Sequence, residues 1–270
     1  MPELELPAGP HAAGRLYYTI DDWTDAWTSP STVLLIHGFT ECGEAWRGWV
    51  PHLARHYRVI RVDLRGFGKA GAVPEDFNYS SALLVDDMVQ VIERVAHSPV
   101  HVVVMKSGAI TGIKLAVARP DLVRSLTLIG SLVEPNDATG WIERMEQHGM
   151  RNWAAATQRN RMGSAMPQAG LDWWSDLMGQ TALSTARAYL RWVGSVDLRG
   201  DLPHIAAPTL VIGNHTPTLP ADYYASYQKI IAQSELVTID IDGYHSGGSA
   251  PDVCALATRA FIARHDQGKL

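Results

Sequence analysis

The sequence predicts an α/β domain: a mostly parallel sheet flanked by helices, with a helical block inserted into the chain. Three observations predict it. Uninterrupted apolar runs such as Val33-Leu34-Leu35-Ile36 and Val102-Val103-Val104-Met105 read as strands buried on both faces. Segments of helical period separate them, as parallel strands require. That alternation stops after Glu134-Pro135, and residues 135–203 keep a helical period until the next apolar strand.

Taken in order, residues 1–14 are rich in proline and glycine and are expected to be irregular, with a first strand over 15–20. Residues 32–36 form a buried strand that ends in His37-Gly38-Phe39-Thr40. A helix is expected over 45–56, with Trp46, Trp49, Val50 and Leu53 on one face. The strand 58–62 runs into the turn Asp63-Leu64-Arg65-Gly66-Phe67-Gly68. An amphipathic helix follows over 80–96, capped by Ser80 or Ser81. Next comes the strand 102–105, a tight corner at Lys106-Ser107-Gly108, and a helix that stops at Arg119-Pro120. A strand over 125–130 precedes the helical block. Strands return at 209–212 and 236–240, with helices over 221–232 and 251–264. The expected division is a core of 1–134 and 204–270 with a helical cap of 135–203.

Composition narrows the function classes. An apolar fraction of 46% over 270 residues supports a large core, and a net charge of −5 argues against nucleic acid or anionic membrane as partner. The only cysteines, Cys42 and Cys254, match no metal spacing and point to a reducing compartment. No apolar run is long enough to span a bilayer and no leader is recognisable, so a soluble, cytoplasmic protein is expected. No glycine spacing fits a dinucleotide or phosphate loop, so no cofactor is expected. His52 and His56 lie one helical turn apart and could ligate a metal, although a solvated helix face is the commoner use of such a pair.

The ordered set His37-Gly38-Phe39, Asp63-Leu64-Arg65-Gly66-x-Gly68, the corner at 106–108 and Gly243-Tyr244-His245 resembles capped α/β-hydrolases of the enol-lactonase and C–C hydrolase type. The resemblance spans residues 15–265. It implies the α/β-hydrolase fold, a nucleophile elbow at the corner, a histidine at 245 and a backbone oxyanion donor at Phe39. The family helix after the nucleophile ends at a proline fourteen residues on, and counting back from Pro120 reaches Lys106. Gly108, Ala109 and Gly112 then fall at the small-residue positions +2, +3 and +6. In this register Ser107 contributes its backbone N–H to the oxyanion hole. In the other register Ser107 would itself be the nucleophile.

The family's acid positions hold no carboxylate. Gly213-Asn214-His215 stand at one and Gly130-Ser131 at the other, which leaves Glu134 either to orient His245 or to serve as a cap-hinge residue. Trp141, Trp153 and Trp174 either line an aromatic substrate pocket or form cap core. Asp63 and Arg65 are expected to brace loops, and His37 to be a buried structural histidine.

A lysine cannot replace the elbow serine in acyl transfer, because an acylated lysine is a stable amide. Burial and a helix N-terminus lower its pKa, so it could form a Schiff base, take a proton or anchor an anion. The expected function is therefore a cofactor-free enzyme acting on a small carbonyl compound, aromatic or cyclic, through Lys106 and His245. Its reaction would be a ring or C–C bond change, a decarboxylation or a related lyase-type step. The alternatives are an ester or lactone hydrolase using Ser107, and a non-catalytic binder.

Overall fold

The computed structural model describes residues 3–6, 14–135, 138, 140–216 and 219–266. Among the described residues eight strands form one sheet: β1 Glu3–Leu6, β2 Gly14–Asp21, β3 Thr32–Ile36, β4 Arg58–Asp63, β5 Val100–Met105, β6 Val123–Ile129, β7 Thr209–Asn214 and β8 Ser234–Ile239. Their order is β1-β2-β4-β3-β5-β6-β7-β8. The pairs β1/β2 and β2/β4 are antiparallel, and the rest are parallel. Strands β3 and β5 are buried along their whole length, as their unbroken apolar runs require.

The helices are α1 Val50–Leu53, α2 Ser81–Val91, α3 Gly108–Ala118, α4 Trp141–His148, α5 Met150–Met162, α6 Gln168–Gly179, α7 Leu183–Val193, α8 Tyr223–Gln228, α9 Ser246–Ser249 and α10 Pro251–His265. Ser80 caps α2, its Oγ accepting the Leu83 N–H at 3.1 Å. Between β6 and β7 the described residues form the four helices α4 to α7 and a short 3₁₀ turn over Leu202–His204, with no strand.

Two expectations for the fold need correction. Glu3–Leu6 is a strand, because Leu4 and Leu6 bury on one face while Glu3 and Glu5 stay outside. The helix expected over 45–56 is broken into a 3₁₀ turn, Gly43–Trp46, and the single turn α1. Gly48 and Pro51 interrupt it, but Trp46, Trp49 and Leu53 still bury completely.

Candidate active site

The parallel strands end at one rim of the sheet, and a cavity of about 380 Å³ opens there against α4, α5 and α7. Open α/β sheets place their ligands at this rim. Phe39 and Glu41 after β3, Lys106 and Ser107 after β5, Leu132 and Glu134 after β6, and Tyr244 and His245 after β8 all reach the cavity. Trp141, Arg161 and Tyr189 face it from the inserted helices.

Lys106 stands between β5 and α3 with φ +53°, a left-handed backbone rare for a residue with a side chain. Its N–H donates to Ile129 O at 3.0 Å, which ties the corner to β6. The helix then passes very close to the sheet. A Cβ on Gly108 would lie 2.6 Å from His37 O, and one on Gly112 2.6 Å from Val104 Cγ1. These two glycines let α3 sit where it holds the corner. The Lys106 Nζ donates to Tyr244 O at 3.1 Å and lies 4.7 Å from the centre of the Tyr244 ring. Burial first, then the nearby Arg161 charge, push its pKa down to about 8.

Ser107 follows the corner as the N-cap position of α3. Its Oγ accepts the Phe39 N–H at 2.9 Å. The Phe39 N–H is therefore not a free oxyanion donor. The hydroxyl stands in front of it and also hydrogen-bonds the Tyr189 side chain.

The carboxylate partner of His245 is Glu41, with Oε1 2.7 Å from Nε2 and both side chains buried. Glu41 Oε2 also accepts the Gly38 N–H at 3.0 Å. Burial alone raises the Glu41 pKa, but His245, His37 and the Gly38 N–H together outweigh it and hold the carboxyl below its ordinary 4.5. The residue before it, Thr40, has φ +61°, strained for a β-branched side chain, and this turn aims Glu41 back toward the cavity. His245 caps the single turn α9, its Nδ1 accepting the Gly248 N–H at 3.0 Å. An Nδ1 that accepts fixes the ring proton on Nε2, where it points at Glu41.

Several expected site residues are placed differently. Glu134 does not orient His245. It accepts a hydrogen bond from the Tyr223 hydroxyl, which in turn accepts the Val133 N–H at 3.0 Å. His245 does not offer a free nitrogen to Lys106 or Ser107, since its two nitrogens face Glu41 and Gly248. Asn214, in the turn that would carry the family acid, donates to Gly243 O and accepts from Ser246 Oγ. Of the three tryptophans, only Trp141 is on the cavity wall. Trp153 lies beneath the Arg161 guanidinium and Trp174 beside the His245 ring. Phe39 lines the cavity and stacks on Tyr189 at 5.3 Å.

The bracing roles hold. Asp63 accepts the Gly43 and Lys69 N–H groups, and Arg65 pairs with Asp87 in the core. His37 is wholly buried and accepts the Leu64 N–H. His52 pairs with Asp252 and His56 with Arg259. Among the described residues no group of three or more histidine, cysteine, aspartate or glutamate side chains could hold a metal ion, and no helix is long and apolar enough to cross a membrane.

Residues 31–164 match the α/β-hydrolase-fold family. The chain is 27% identical over 245 residues to a 2-hydroxy-6-oxo-6-(2'-aminophenyl)hexa-2,4-dienoic acid hydrolase of Metapseudomonas resinovorans, covering 86% of this chain and 84% of that one. It is 25% identical over 239 residues to the karrikin insensitive 2 receptor CA of Petunia hybrida, covering 82% and 88%. Among solved structures, the enol-lactonase of Burkholderia xenovorans LB400 superposes with a TM-score of 0.83 at 20% identity, over 93% of this chain and 97% of that one. A malate-bound esterase of Thermogutta terrifontis superposes at 0.86 and 18% identity, over 98% and 99%. With the eight-stranded sheet, its order and the corner between β5 and α3, these matches make the chain an α/β-hydrolase-fold protein.

Proposed function

We propose that this protein is a cofactor-free enzyme that acts on a small carbonyl compound through Lys106, Glu41 and His245. The supporting observation is a lysine at a strained elbow in the same cavity as a buried carboxylate–imidazole pair. Strain and buried charge cost stability, and they persist where function uses them. In this reading the substrate carbonyl oxygen faces the Lys106 amine and the Ser107 hydroxyl. Glu41 takes the proton from the adjacent carbon, and the electron pair left behind becomes an enolate. Lys106 carries the balancing positive charge, and the Nε2–H of His245 holds Glu41 in place. An enolate so formed can expel a β leaving group or reprotonate at carbon, while C–C cleavage and decarboxylation would reach the same Lys106-stabilised enolate by losing a carbon fragment or CO₂ in place of the proton. The inserted helices act as the cap that closes the site from water.

The second reading, an ester hydrolase with Ser107 as nucleophile, has the weaker support. The Ser107 hydroxyl is bonded to the Phe39 N–H, and His245 Nε2 is engaged by Glu41. The third reading, a binder without turnover, draws on the receptor among the relatives, but it leaves the strained Lys106 and Thr40 without a use. The test is α-proton exchange with D₂O, followed by NMR over a panel of aromatic and cyclic ketones. Exchange that Lys106→Ala abolishes and Ser107→Ala retains is expected. Absence of exchange, or hydrolysis of nitrophenyl esters that Ser107→Ala removes, would overturn the reading.

A further inference from the structure

Two cations share one aromatic ring in the cavity wall. The Lys106 Nζ lies 4.7 Å from the centre of the Tyr244 ring, and the Arg161 guanidinium lies 5.8 Å from it. Neither cation has the partners its charge calls for. The other buried arginines, Arg61 and Arg65, pair with Asp21 and Asp87, each at 2.7 Å. Arg161 is 8% exposed and has no carboxylate within ion-pair distance among the described residues. Its Nε donates to Thr157 Oγ1 at 3.0 Å, while its terminal nitrogens have no protein partner among the described residues. The backbone beneath is fixed, since Arg161 O accepts the His245 N–H at 2.8 Å. An ammonium carries three N–H donors. Among the described residues the Lys106 Nζ has one acceptor, Tyr244 O at 3.1 Å. The cavity acids do not make up the difference. Glu41 is bonded to His245 and the Gly38 N–H, and Glu134 to Tyr223.

One small reaction removes both deficits. A neutral lysine amine adds to carbon dioxide: the nitrogen lone pair bonds the carbon, one C=O electron pair moves onto oxygen, and the nitrogen releases a proton to solvent. The product is a carbamate, which keeps a single N–H and carries two anionic oxygens. That N–H is the number of donors Tyr244 O is placed to accept, and the oxygens match the unpartnered fork of a guanidinium. Two like charges become an ion pair. The apolar walls at Ile110, Trp141, Leu190 and Val193 strengthen that pair by keeping water sparse around it. We propose that Lys106 is a carbon dioxide site, carbamylated at Nζ, with Arg161 holding the carbamate oxygens. The amine that titrates near 8 supplies the neutral form this attack needs, where an ordinary lysine stays protonated. The charged and titratable groups around it are Arg161, Glu41, Tyr244 and His245, from the inserted helices and the loops after β3 and β8. The adduct has a consequence for the site. A carbamate nitrogen can neither form an imine nor carry positive charge, so carbon dioxide and substrate compete for Lys106. That consequence rests on the reading of the cavity as a carbonyl-compound site, whereas the adduct itself does not.

The test needs no turnover. The full chain is equilibrated with excess ¹³C-bicarbonate at about pH 8.5, where a lysine of ordinary pKa remains an ammonium. Carbon-13 NMR then looks for a protein-bound carbamate, and trapping with a trialkyloxonium salt followed by peptide mass spectrometry locates it. One adduct per chain, on Lys106, is expected. Lys106→Met should lose it, and Lys229→Met, at an exposed lysine, should keep it. Arg161→Met and Arg161→Gln should weaken carbon dioxide binding by about 10-fold or more, the scale of a charge-assisted pair. Wild type and Lys106→Met decide the question even where an Arg161 variant fails to fold. No adduct in wild type, an adduct on other lysines in place of Lys106, or equal binding in folded Arg161 variants would overturn the proposal. Bicarbonate should also slow the α-proton exchange described above. An adduct on Lys106 in a protein that exchanges no substrate proton would keep the carbon dioxide site and sink the proposed reaction. Exchange that bicarbonate leaves untouched, with no adduct formed, would do the reverse.

Discussion

Glu41 and His245 are 204 residues apart in the chain and meet at 2.7 Å through Oε1 and Nε2. In the serine triad the carboxylate binds the imidazole at Nδ1, leaving Nε2 to face the nucleophile. Here Nδ1 accepts a backbone N–H and Nε2 faces the carboxylate. The relay is turned round. The lone pairs left over at the cavity belong to Glu41.

Glu41→Gln keeps the shape of the side chain and a carbonyl to accept from Nε2, but it removes the charge and the basic oxygen. Turnover is expected to fall by about 10²-fold or more, as for loss of a general base. Near-normal rates would remove Glu41 from the chemistry. The variant also has a stability signature. Glu41 titrates lower folded than unfolded, so its contribution is present above its ordinary 4.5 and lost as pH falls through the folded value. The acid limb of the wild-type melting profile should therefore be steeper than that of Glu41→Gln.

Gly248→Ala tests the orientation of the imidazole. The added Cβ would lie 2.8 Å from His245 Nδ1 and 2.6 Å from Trp174 Cζ2. Both rings are packed, so the imidazole must shift or turn, and its hydrogen bond to Glu41 loses its geometry. A loss of about 1–3 kcal/mol of stability from overpacking is expected, with a fall in kcat larger than the change in KM. An unchanged kcat would mean that the Glu41–His245 geometry does not matter.

The fold and the corner were legible because they rest on local spacing. Pro120, Gly108 and Gly112 mark a tight corner before α3 from sequence, and Gly108 and Gly112 have no room for a side chain in the structure. Glu41 was not legible. It lies at neither family acid position, and its pairing depends on a positive φ at Thr40 that no propensity for threonine predicts. Arg161 was hidden for another reason. Helical period marks the inserted block, but it does not say which residue packs against the loop carrying His245.

Ser107→Ala removes the hydroxyl that stands before the Phe39 N–H and exposes that donor to the cavity. One donor replaces another, so turnover should drop by no more than about 10-fold, and fluorophosphonate probes should label neither wild type nor variant. Stoichiometric labelling at Ser107 would support the hydrolase reading in place of the lysine chemistry.

Lys106 gives the sharpest test, because its proposed role and its cost to the fold have opposite signs. The amine titrates near 8 in the folded chain against an ordinary 10.5, first through burial and then through Arg161. Between those values the unfolded chain holds more protons than the folded one, so stability from this group rises with pH across the window. Below about 8 the ammonium is carried at a cost in both charge and solvation. Lys106→Met should then be more stable than wild type at pH 7, by about 2–5 °C in Tm, and the gain should shrink as pH climbs from 8 toward 10.5. The same variant should lack turnover. Lys106→Arg divides the two uses of the amine, since arginine keeps the charge but cannot become neutral or form an imine. Activity in Lys106→Arg would assign the lysine to enolate or carboxylate stabilisation. Its loss, together with a borohydride-trapped adduct on wild-type Lys106, would assign it to Schiff-base chemistry. A Lys106→Met protein that is both less stable at pH 7 and fully active would remove the amine from the site's chemistry altogether.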